Sequence, residues 1–302
     1  MLFRSVSQSR YGEIDVHLYG PHVFHTSNKQ VWSYITQFGE FRQFTHKVLS
    51  RHGDRLYSFP INLKTIIEVF GKDSFLVKSK YIEPDCNLED WCINEIGETL
   101  YEMFIKGYTE KQWNCDPKLL PASIIKRIPV RSDFNDSYFN DYYQGVPHNG
   151  YNALFIKMLE GIEVRLNTDS SDLKDISADK VIFTGPIDKY FDYEYGQLQW
   201  RSLKFEIVEL NIKDFQGISV MHYPEKRYPY TRITEFKHFN PFNEAYKKDH
   251  TIYAAEFPIT DNENPYYPIE TEENINKYLK YFELSQEYKN IHYCLYQIPD
   301  LS

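Results

Sequence analysis

Alternation of apolar and polar residues indicates which stretches of the chain form β-strands. Residues 11–26 alternate until Gly20-Pro21 interrupts the pattern, and residues 47–58 form two short runs around His52-Gly53-Asp54, which predicts a hairpin. Further strands are predicted at 162–166, 181–183, 202–212 and 251–257. The last two have the alternation expected of an antiparallel sheet with one buried face.

Helical spacing of apolar residues predicts α-helices between these strands. The predicted helices cover residues 27–41, 62–70, 88–107, 119–127, 151–159 and 272–287. Ser27 or Asn28 can cap the first helix, Pro129 follows the end of the fourth, and Gly161 can end the fifth as a C-cap. Because helices and strands interleave, we predict a mixed α/β fold with an α/β part, a helical part and an antiparallel sheet.

The charge balance narrows the classes of ligand. The 302 residues carry 34 Lys and Arg against 43 Asp and Glu, a formal net charge of −9. This acidity argues against nonspecific nucleic-acid binding, but a few local arginines can still serve one anionic small molecule. No apolar run is long enough for a membrane-spanning helix. Cys86, Cys92, Cys115 and Cys294 lack zinc-binding spacing, so we expect reduced thiols and a cytoplasmic protein.

Two sequence features bear on cofactors and metals. The chain contains neither a GxGxxG nor a Walker A sequence, the glycine-rich turns on which nucleotide phosphates normally rest. His22 and His25 form an HxxH pair, but a metal site needs a third ligand, and no candidate lies nearby in the sequence. We therefore predict no metal site.

Eight segments stand in the order in which one enzyme family carries them. They are YGPHVFHT (19–26), IKGYTEKQW (105–113), IIKRIPVR (124–131), YQGVP (143–147), FTGPIDKYFDY (183–193), RSLKFE (201–206), YPYTRITEFKHF (228–239) and PYYPI (265–269). On these segments the chain resembles the UDP-galactopyranose mutase family, from about Gly12 to about Glu287. The resemblance implies an isomerase that interconverts UDP-galactopyranose and UDP-galactofuranose through the N5 of reduced FAD. It also implies an FAD-binding α/β domain, a helical bundle and an antiparallel sheet.

Two arginines are the main candidates for substrate binding. Arg131 follows Pro129 in a loop-like stretch, and Arg232 follows Pro229-Tyr230-Thr231. A guanidinium fork suits the oxygens of a diphosphate better than an ammonium group does. Without the resemblance, both would read as ordinary solvated arginines. The resemblance implies that they clamp the diphosphate of the substrate, Arg131 from a mobile loop.

Aromatic and polar residues complete the predicted substrate site. The resemblance implies that Phe104, Thr109 and Trp113 contact the uridine, that Tyr143 stacks on the uracil, and that Tyr267 lies near the diphosphate. Taken alone, Phe104 and Trp113 would be read as core residues. Tyr266 is an alternative to Tyr267 in the PYYPI segment.

The resemblance also implies residues near the cofactor. His22 is expected beside the flavin ring, and the Thr184-Gly185 turn that follows the strand at 181–183 is expected near FAD. His46 departs from the family pattern, because it stands where an asparagine near the substrate is expected.

The resemblance implies a division of the chain into interleaved domains. Residues 1–18 and 148–190 are assigned to an incomplete Rossmann-like FAD-binding domain, 62–147 to a helical domain with a mobile loop, 19–61 and 191–284 to an antiparallel substrate domain, and 285–302 to a divergent tail. The family's strand–glycine turn–helix unit does not precede residue 12, and its Gly-Arg segment does not follow Asn290. We therefore expect FAD to bind poorly to this chain.

Three functions stay open at this point. The first is a UDP-galactopyranose mutase that acts on UDP-galactose and UDP-galactofuranose, active or formerly active. The second is a non-catalytic protein that binds UDP-sugars, and the third is a remnant that pairs with an intact mutase. A homodimer is also left open.

Overall fold

A computed structural model describes residues 6–11, 13–72, 86–169, 178–241, 244–261, 265–288 and 291–293. The strands are β1 (Gln8–Tyr11), β2 (Ile14–His17), β3 (Phe24–Thr26), β4 (Phe41–Gln43), β5 (Val48–His52), β6 (Arg55–Phe59), β7 (Tyr143–Pro147), β8 (Val181–Phe183), β9 (Trp200–Leu210), β10 (Val220–His222), β11 (Arg232–Glu235), β12 (Thr251–Ile259), β13 (Tyr267–Pro268) and β14 (Ile291–Tyr293). The helices are α1 (Lys29–Ile35), α2 (Leu63–Phe70), α3 (Leu88–Leu100), α4 (Gly107–Trp113), α5 (Ser123–Lys126), α6 (Gly150–Met158), α7 (Ile187–Tyr190), α8 (Glu244–Lys247) and α9 (Glu272–Ser285). A π-helical segment (Tyr101–Lys106) joins α3 to α4, and 3₁₀ turns cover Pro117–Leu119 and Phe236–Phe239.

A seven-stranded sheet is the centre of the fold, with the strand order β13-β9-β12-β11-β10-β5-β6. The predicted strands at 202–212 and 251–257 are confirmed as β9 and β12, which pair antiparallel from Thr251 opposite Leu210 to Ile259 opposite Ser202. The predicted hairpin at 47–58 is confirmed as β5 and β6. Among the described strand pairs of this sheet, the β10–β5 pair is parallel and the others are antiparallel. The predicted mixed α/β fold class is confirmed.

Three smaller sheets surround this centre. β1 and β2 form an antiparallel hairpin, β3, β7 and β4 form a second sheet, and β14 pairs with β8 in parallel. The single strand predicted at 11–26 is therefore broken into parts of β1, β2 and β3. The break lies at Gly20, whose φ of 95° turns the chain in a way that other residues rarely adopt.

A layer of helices packs against one face of the central sheet. Asn62 begins α2 by accepting hydrogen bonds from Lys64 N and Thr65 N, and Asn87 caps α3 in the same manner. Buried residues of α3 and the π-helical segment, including Leu88, Leu100 and Phe104, share one core cluster with Val48, Val220 and Ile252 of the sheet. This packing fixes the segment 88–113 over β5, β10 and β12.

Three predictions of local structure are wrong. The helix expected at 119–127 forms only over Ser123–Lys126, because Leu120 is extended and Pro121 pairs with Asn87 in an isolated β-bridge. The helix expected at 27–41 ends at Ile35, because Phe41–Gln43 pair with β7 as strand β4. The strand expected at 162–166 does not form. Ile162 is 60% exposed and Leu166 is 58% exposed, so the apolar run packs against no sheet in the described part of the chain.

The described residues include no helix with the length and apolar character needed to cross a bilayer. Cys86, Cys92 and Cys115 are free thiols, as expected, and Cys294 lies outside the described residues.

Candidate functional site

A pocket of about 120 Å³, partly open to solvent, lies between the segment 104–113 and the strands β11 and β12. Five of the predicted substrate residues line it, although they come from distant parts of the sequence: Phe104, Thr109, Trp113, Arg232 and Tyr267. The pocket therefore brings together two arginines, Arg127 and Arg232, with several rings and a few polar groups.

One wall of the pocket is helical. Phe104 of the π-helical segment is 3% exposed, and its ring contacts Tyr57 edge-on at 5.3 Å between centroids. Tyr108 follows Phe104 by four residues, and Gln112 follows Tyr108 by four, so the three lie on the same side; Thr109, five residues after Phe104, also lines the pocket. Tyr108 and Gln112 were not predicted. Their helical spacing from Phe104 is the signal that could have identified them.

The opposite wall carries the arginine. Arg232 is the first residue of β11 and is paired in register with Glu256 of β12. Its Nε and Nη2 both donate to Oε2 of Glu256, each at 2.8 Å. Glu256 is 2% exposed, whereas 24% of the Arg232 side chain is exposed. Burial opposes the charge, but the Glu256 carboxylate outweighs it and raises the pKa of Arg232.

Tyr267 closes one side of the pocket. Its ring lies 6.3 Å from that of Trp113, and both residues line the cavity. Tyr266 instead faces the rings of Tyr19 at 6.3 Å and Phe205 at 6.1 Å. Of the two tyrosines considered from the sequence, Tyr267 is the one that lines the pocket.

A neutral histidine lies at the base of the pocket. His222 packs between Phe59 and Tyr108, with ring centroids 5.1 and 5.0 Å away. Burial, with the nearby positive charge of Arg232, lowers the pKa of His222 to about 3. His222 was not predicted, because its strand gives no sign of a polar cluster in the sequence.

His46 belongs to the same buried region. Its ring lies 5.3 Å from Tyr138, another lining residue, and its Nδ1 has no hydrogen-bond partner in the described residues. Burial and the charge of Arg232 lower its pKa to about 3. The imidazole is therefore neutral at physiological pH and can donate or accept one further hydrogen bond.

Arg131 does not line this pocket. Its Nη2 donates to two carbonyls of its own loop, Ser137 O at 2.7 Å and Phe139 O at 3.4 Å, whereas its buried Nε has no hydrogen-bond partner in the described residues. The same loop is held by Asp141, which accepts from Ser27 Oγ at 2.9 Å and lies 2.6 Å from His25 Nδ1.

Tyr143 is also outside the pocket. Its ring stacks on Trp32 with centroids 5.1 Å apart and an angle of 11°. Together with Phe41 and Tyr142 it lines a separate open recess. The structure therefore places two predicted substrate residues, Arg131 and Tyr143, on elements beside the pocket.

His22 lies on the turn next to the arginine. Its Nδ1 is 2.8 Å from Gly20 O, and a Cβ on Gly20 would lie 3.4 Å from Nη2 of Arg232. Burial lowers the pKa of His22. Because His25 contacts Asp141 instead, the two histidines of the HxxH sequence have different partners.

The Thr184-Gly185 turn does not fit the phosphates of FAD. A Cβ on Gly185 would lie 2.7 Å from the ring of Phe183, so that ring covers the turn. The helix that follows, α7, has only four residues and no side-chain cap, and it offers little helix dipole for an anion.

The family model and the curated relatives place the chain in one family. The family model for UDP-galactopyranose mutase matches residues 103–294. The chain is 36% identical to the dTDP-fucopyranose mutase of Escherichia coli over 92% of this chain and 78% of that protein. It is also 36% identical to a probable UDP-galactopyranose mutase of Klebsiella pneumoniae over 92% of this chain and 75% of that protein. A solved structure of reduced UDP-galactopyranose mutase has the same fold, with a TM-score of 0.60 and 14% identity over 87% of this chain and 67% of that one.

Proposed function

Since the chain belongs to the UDP-galactopyranose mutase family, we propose that its pocket binds the nucleoside diphosphate of UDP-galactose and UDP-galactofuranose in their interconversion. The observation that carries this proposal is the convergence of Phe104, Thr109, Trp113, Arg232 and Tyr267 on one pocket. A flat base, a ribose and a diphosphate need ring faces, hydrogen-bonding groups and a cation, which is the set that the pocket contains.

Arg232 is the proposed diphosphate ligand. A guanidinium has five N–H donors, and the described bonds to Glu256 use Nε and Nη2 on one side of it. A diphosphate oxygen can take N–H groups on the other side. Glu256 holds the guanidinium in place before the ligand arrives, so little side-chain entropy is lost on binding.

FAD is a separate part of the proposal. The fold of reduced UDP-galactopyranose mutase supports a flavin partner, and His22 beside Arg232 is the proposed neighbour of its ring. The covered turn at Gly185 opposes tight binding of the phosphates. We therefore expect the 302-residue chain to purify with much less than one flavin per chain, measured by visible absorbance. Stoichiometric FAD with turnover of UDP-galactofuranose would contradict this expectation and would establish an active mutase.

Calorimetry with UDP and dTDP tests the nucleotide site directly, with or without added FAD. We expect UDP to bind, and the Arg232→Lys variant to bind it more weakly. The parallel titration with dTDP is needed because one relative is named a dTDP-fucopyranose mutase. Tighter binding of dTDP would assign the chain to a thymidine-linked sugar. Absence of binding for both nucleotides would refute the proposed site.

UDP binding without turnover, even in the presence of reduced FAD, would instead favour the non-catalytic UDP-sugar-binding protein. Free thiols at Cys86, Cys92 and Cys115 support the proposal that the protein works in the reducing cytoplasm.

A further inference from the structure

Helix α4 has two functional faces. Thr109, Gln112 and Trp113 line the pocket, whereas Gly107 and Lys111, one helical turn apart, face the loop 223–230 that leads into β11. The loop side of α4 plays no part in the proposed nucleotide contacts. It nevertheless determines how the helical wall of the pocket lies relative to Arg232.

The ammonium group of Lys111 is surrounded by backbone carbonyls. Its Nζ lies 2.5 Å from Tyr223 O, 3.1 Å from Glu225 O, 3.1 Å from Tyr228 O and 2.8 Å from Tyr230 O. We call these four oxygens the carbonyl cage. An ammonium has three N–H groups for four acceptors, so the contact resembles the coordination of a cation more than a set of separate hydrogen bonds.

A second contact brings the same helix face against the loop. A Cβ on Gly107 would collide with Pro224 O, so only glycine permits this approach of the two backbones. At the edge, Glu110 pairs with Lys226 at 2.6 Å. The loop is thus held to α4 over its whole length.

The position of this loop determines the position of Arg232, because a backbone hydrogen bond joins the loop to the adjacent residue. Tyr223 N donates to Thr231 O at 2.8 Å, which joins the beginning of the loop to the residue before Arg232. The C-terminal end of α4 is fixed independently, because Arg201 Nε donates to Gln112 O at 2.9 Å. Lys111 therefore lies between two anchored elements that form opposite walls of the pocket.

We propose that Lys111 is a positioning residue whose ammonium, by filling the carbonyl cage, sets the distance between Arg232 and the α4 residues Thr109 and Trp113. The inference rests on the proposed nucleotide site. Without the ammonium, these partly buried carbonyls each lose a donor, and the loop moves so that they can reach water. Arg232 moves with the loop, and the two ends of a bound nucleotide are no longer held at matching positions.

Lys111→Met and Lys111→Ala test this role, with Lys106→Met as the matched control. Lys106 lies on the preceding segment, where it makes an exposed pair with Glu102. We expect UDP affinity to fall about tenfold in both Lys111 variants and to stay unchanged in Lys106→Met. Hydrogen exchange should rise in segments 107–113 and 223–232, and it should not change in α2.

Chemical rescue distinguishes loss of the ammonium from the carbonyl cage from a general loss of side-chain packing. Lys111→Ala lacks the atoms of n-propylammonium, and we expect this cation to restore most of the UDP affinity, whereas equal concentrations of NaCl or n-propanol do not. If the variant folds only partly, the refolding yield under the same three additions gives the same comparison.

Two outcomes overturn the inference: unchanged UDP affinity in Lys111→Met, or an affinity of Lys111→Ala that n-propylammonium leaves as low as n-propanol does. Failure of the unmodified chain to bind UDP would instead refute the proposed function on which the inference rests.

Discussion

The two arginines predicted for the diphosphate are held in different ways. Arg232 stands on a central strand, and a buried carboxylate fixes its guanidinium at the pocket. Arg131 stands on a loop, and its guanidinium is engaged by Ser137 O and Phe139 O of that loop. The first arginine is preorganised for a ligand. The second can reach the pocket only if its loop gives up these hydrogen bonds.

The contrast extends to the surroundings of each arginine. Around Arg232, buried groups are neutral or paired, as His222 and Glu256 show. The Arg131 loop is tied down by partly exposed pairs, Asp141 with His25 and Asp136 with Lys47. Exposed pairs contribute little to stability, so this side of the site can move at low free-energy cost.

The largest expected difference between the two regions is in stability. Arg232→Met leaves the buried Glu256 without its partner, and we expect the free energy of unfolding to fall by about 3–5 kcal/mol. Arg131→Met should cost less than about 1 kcal/mol, because its partners are carbonyls of a half-exposed loop. Urea denaturation measures both changes. Equal losses of unfolding free energy in the two variants would show that the two arginines contribute equally to stability.

UDP affinity provides the next comparison. Arg232→Lys keeps the charge but loses the fork, and we expect the free energy of UDP binding to weaken by about 1.5–3 kcal/mol. Arg131→Lys should weaken UDP binding less. The free energy needed to open the Arg131 loop offsets part of the free energy gained from the contact between Arg131 and the diphosphate. Calorimetry of both variants shows which substitution weakens UDP binding more. A larger effect at Arg131 would show that the loop side dominates binding.

Acid titration tests the buried, neutral histidines, of which His46 and His222 lie near Arg232. The pKa values of His17, His46 and His222 are about 3 in the folded chain, below the usual 6.5. The unfolded chain therefore binds more protons below pH 6.5. The free energy of unfolding that these histidines contribute is fully present above that pH. It is lost as the pH falls toward 3, by about 1.4 kcal/mol per pH unit for each histidine.

The His46→Asn variant should show a slope smaller by about that amount between pH 6 and 5, the interval to be measured by urea denaturation. An unchanged slope in His46→Asn would indicate that His46 is already protonated in the folded protein.

The smallest effect is expected from the pair that holds the loop. Asp141→Asn weakens the contact with His25, and we expect a loss of stability of less than about 1 kcal/mol. If the released loop brings Arg131 to the diphosphate, UDP affinity rises a few-fold, and the gain disappears in the Arg131→Lys background. Unchanged affinity in Asp141→Asn would show that this pair does not restrain Arg131.

Local sequence rules predicted much of the fold. The β5–β6 hairpin, the β9–β12 strands and the cap at Asn28 follow from alternation and from a side chain that accepts backbone N–H groups. Predictions failed where pairing with a segment distant in sequence determines the secondary structure. Phe41–Gln43 became a strand because β7 lies beside it, a pairing across about a hundred residues of chain that no local pattern encodes.

The sequence by itself determined the family and the residue types of the site, because motif order and aromatic and arginine content are properties of the chain. Only the tertiary structure decided which of these residues share a pocket. Arg232 is fixed by Glu256 and Lys111 is surrounded by carbonyls of a distant loop, whereas Arg131 and Tyr143 contact their own side of the fold. These contacts depend on strand register and on the burial of charge, which are set only when separated segments pack together.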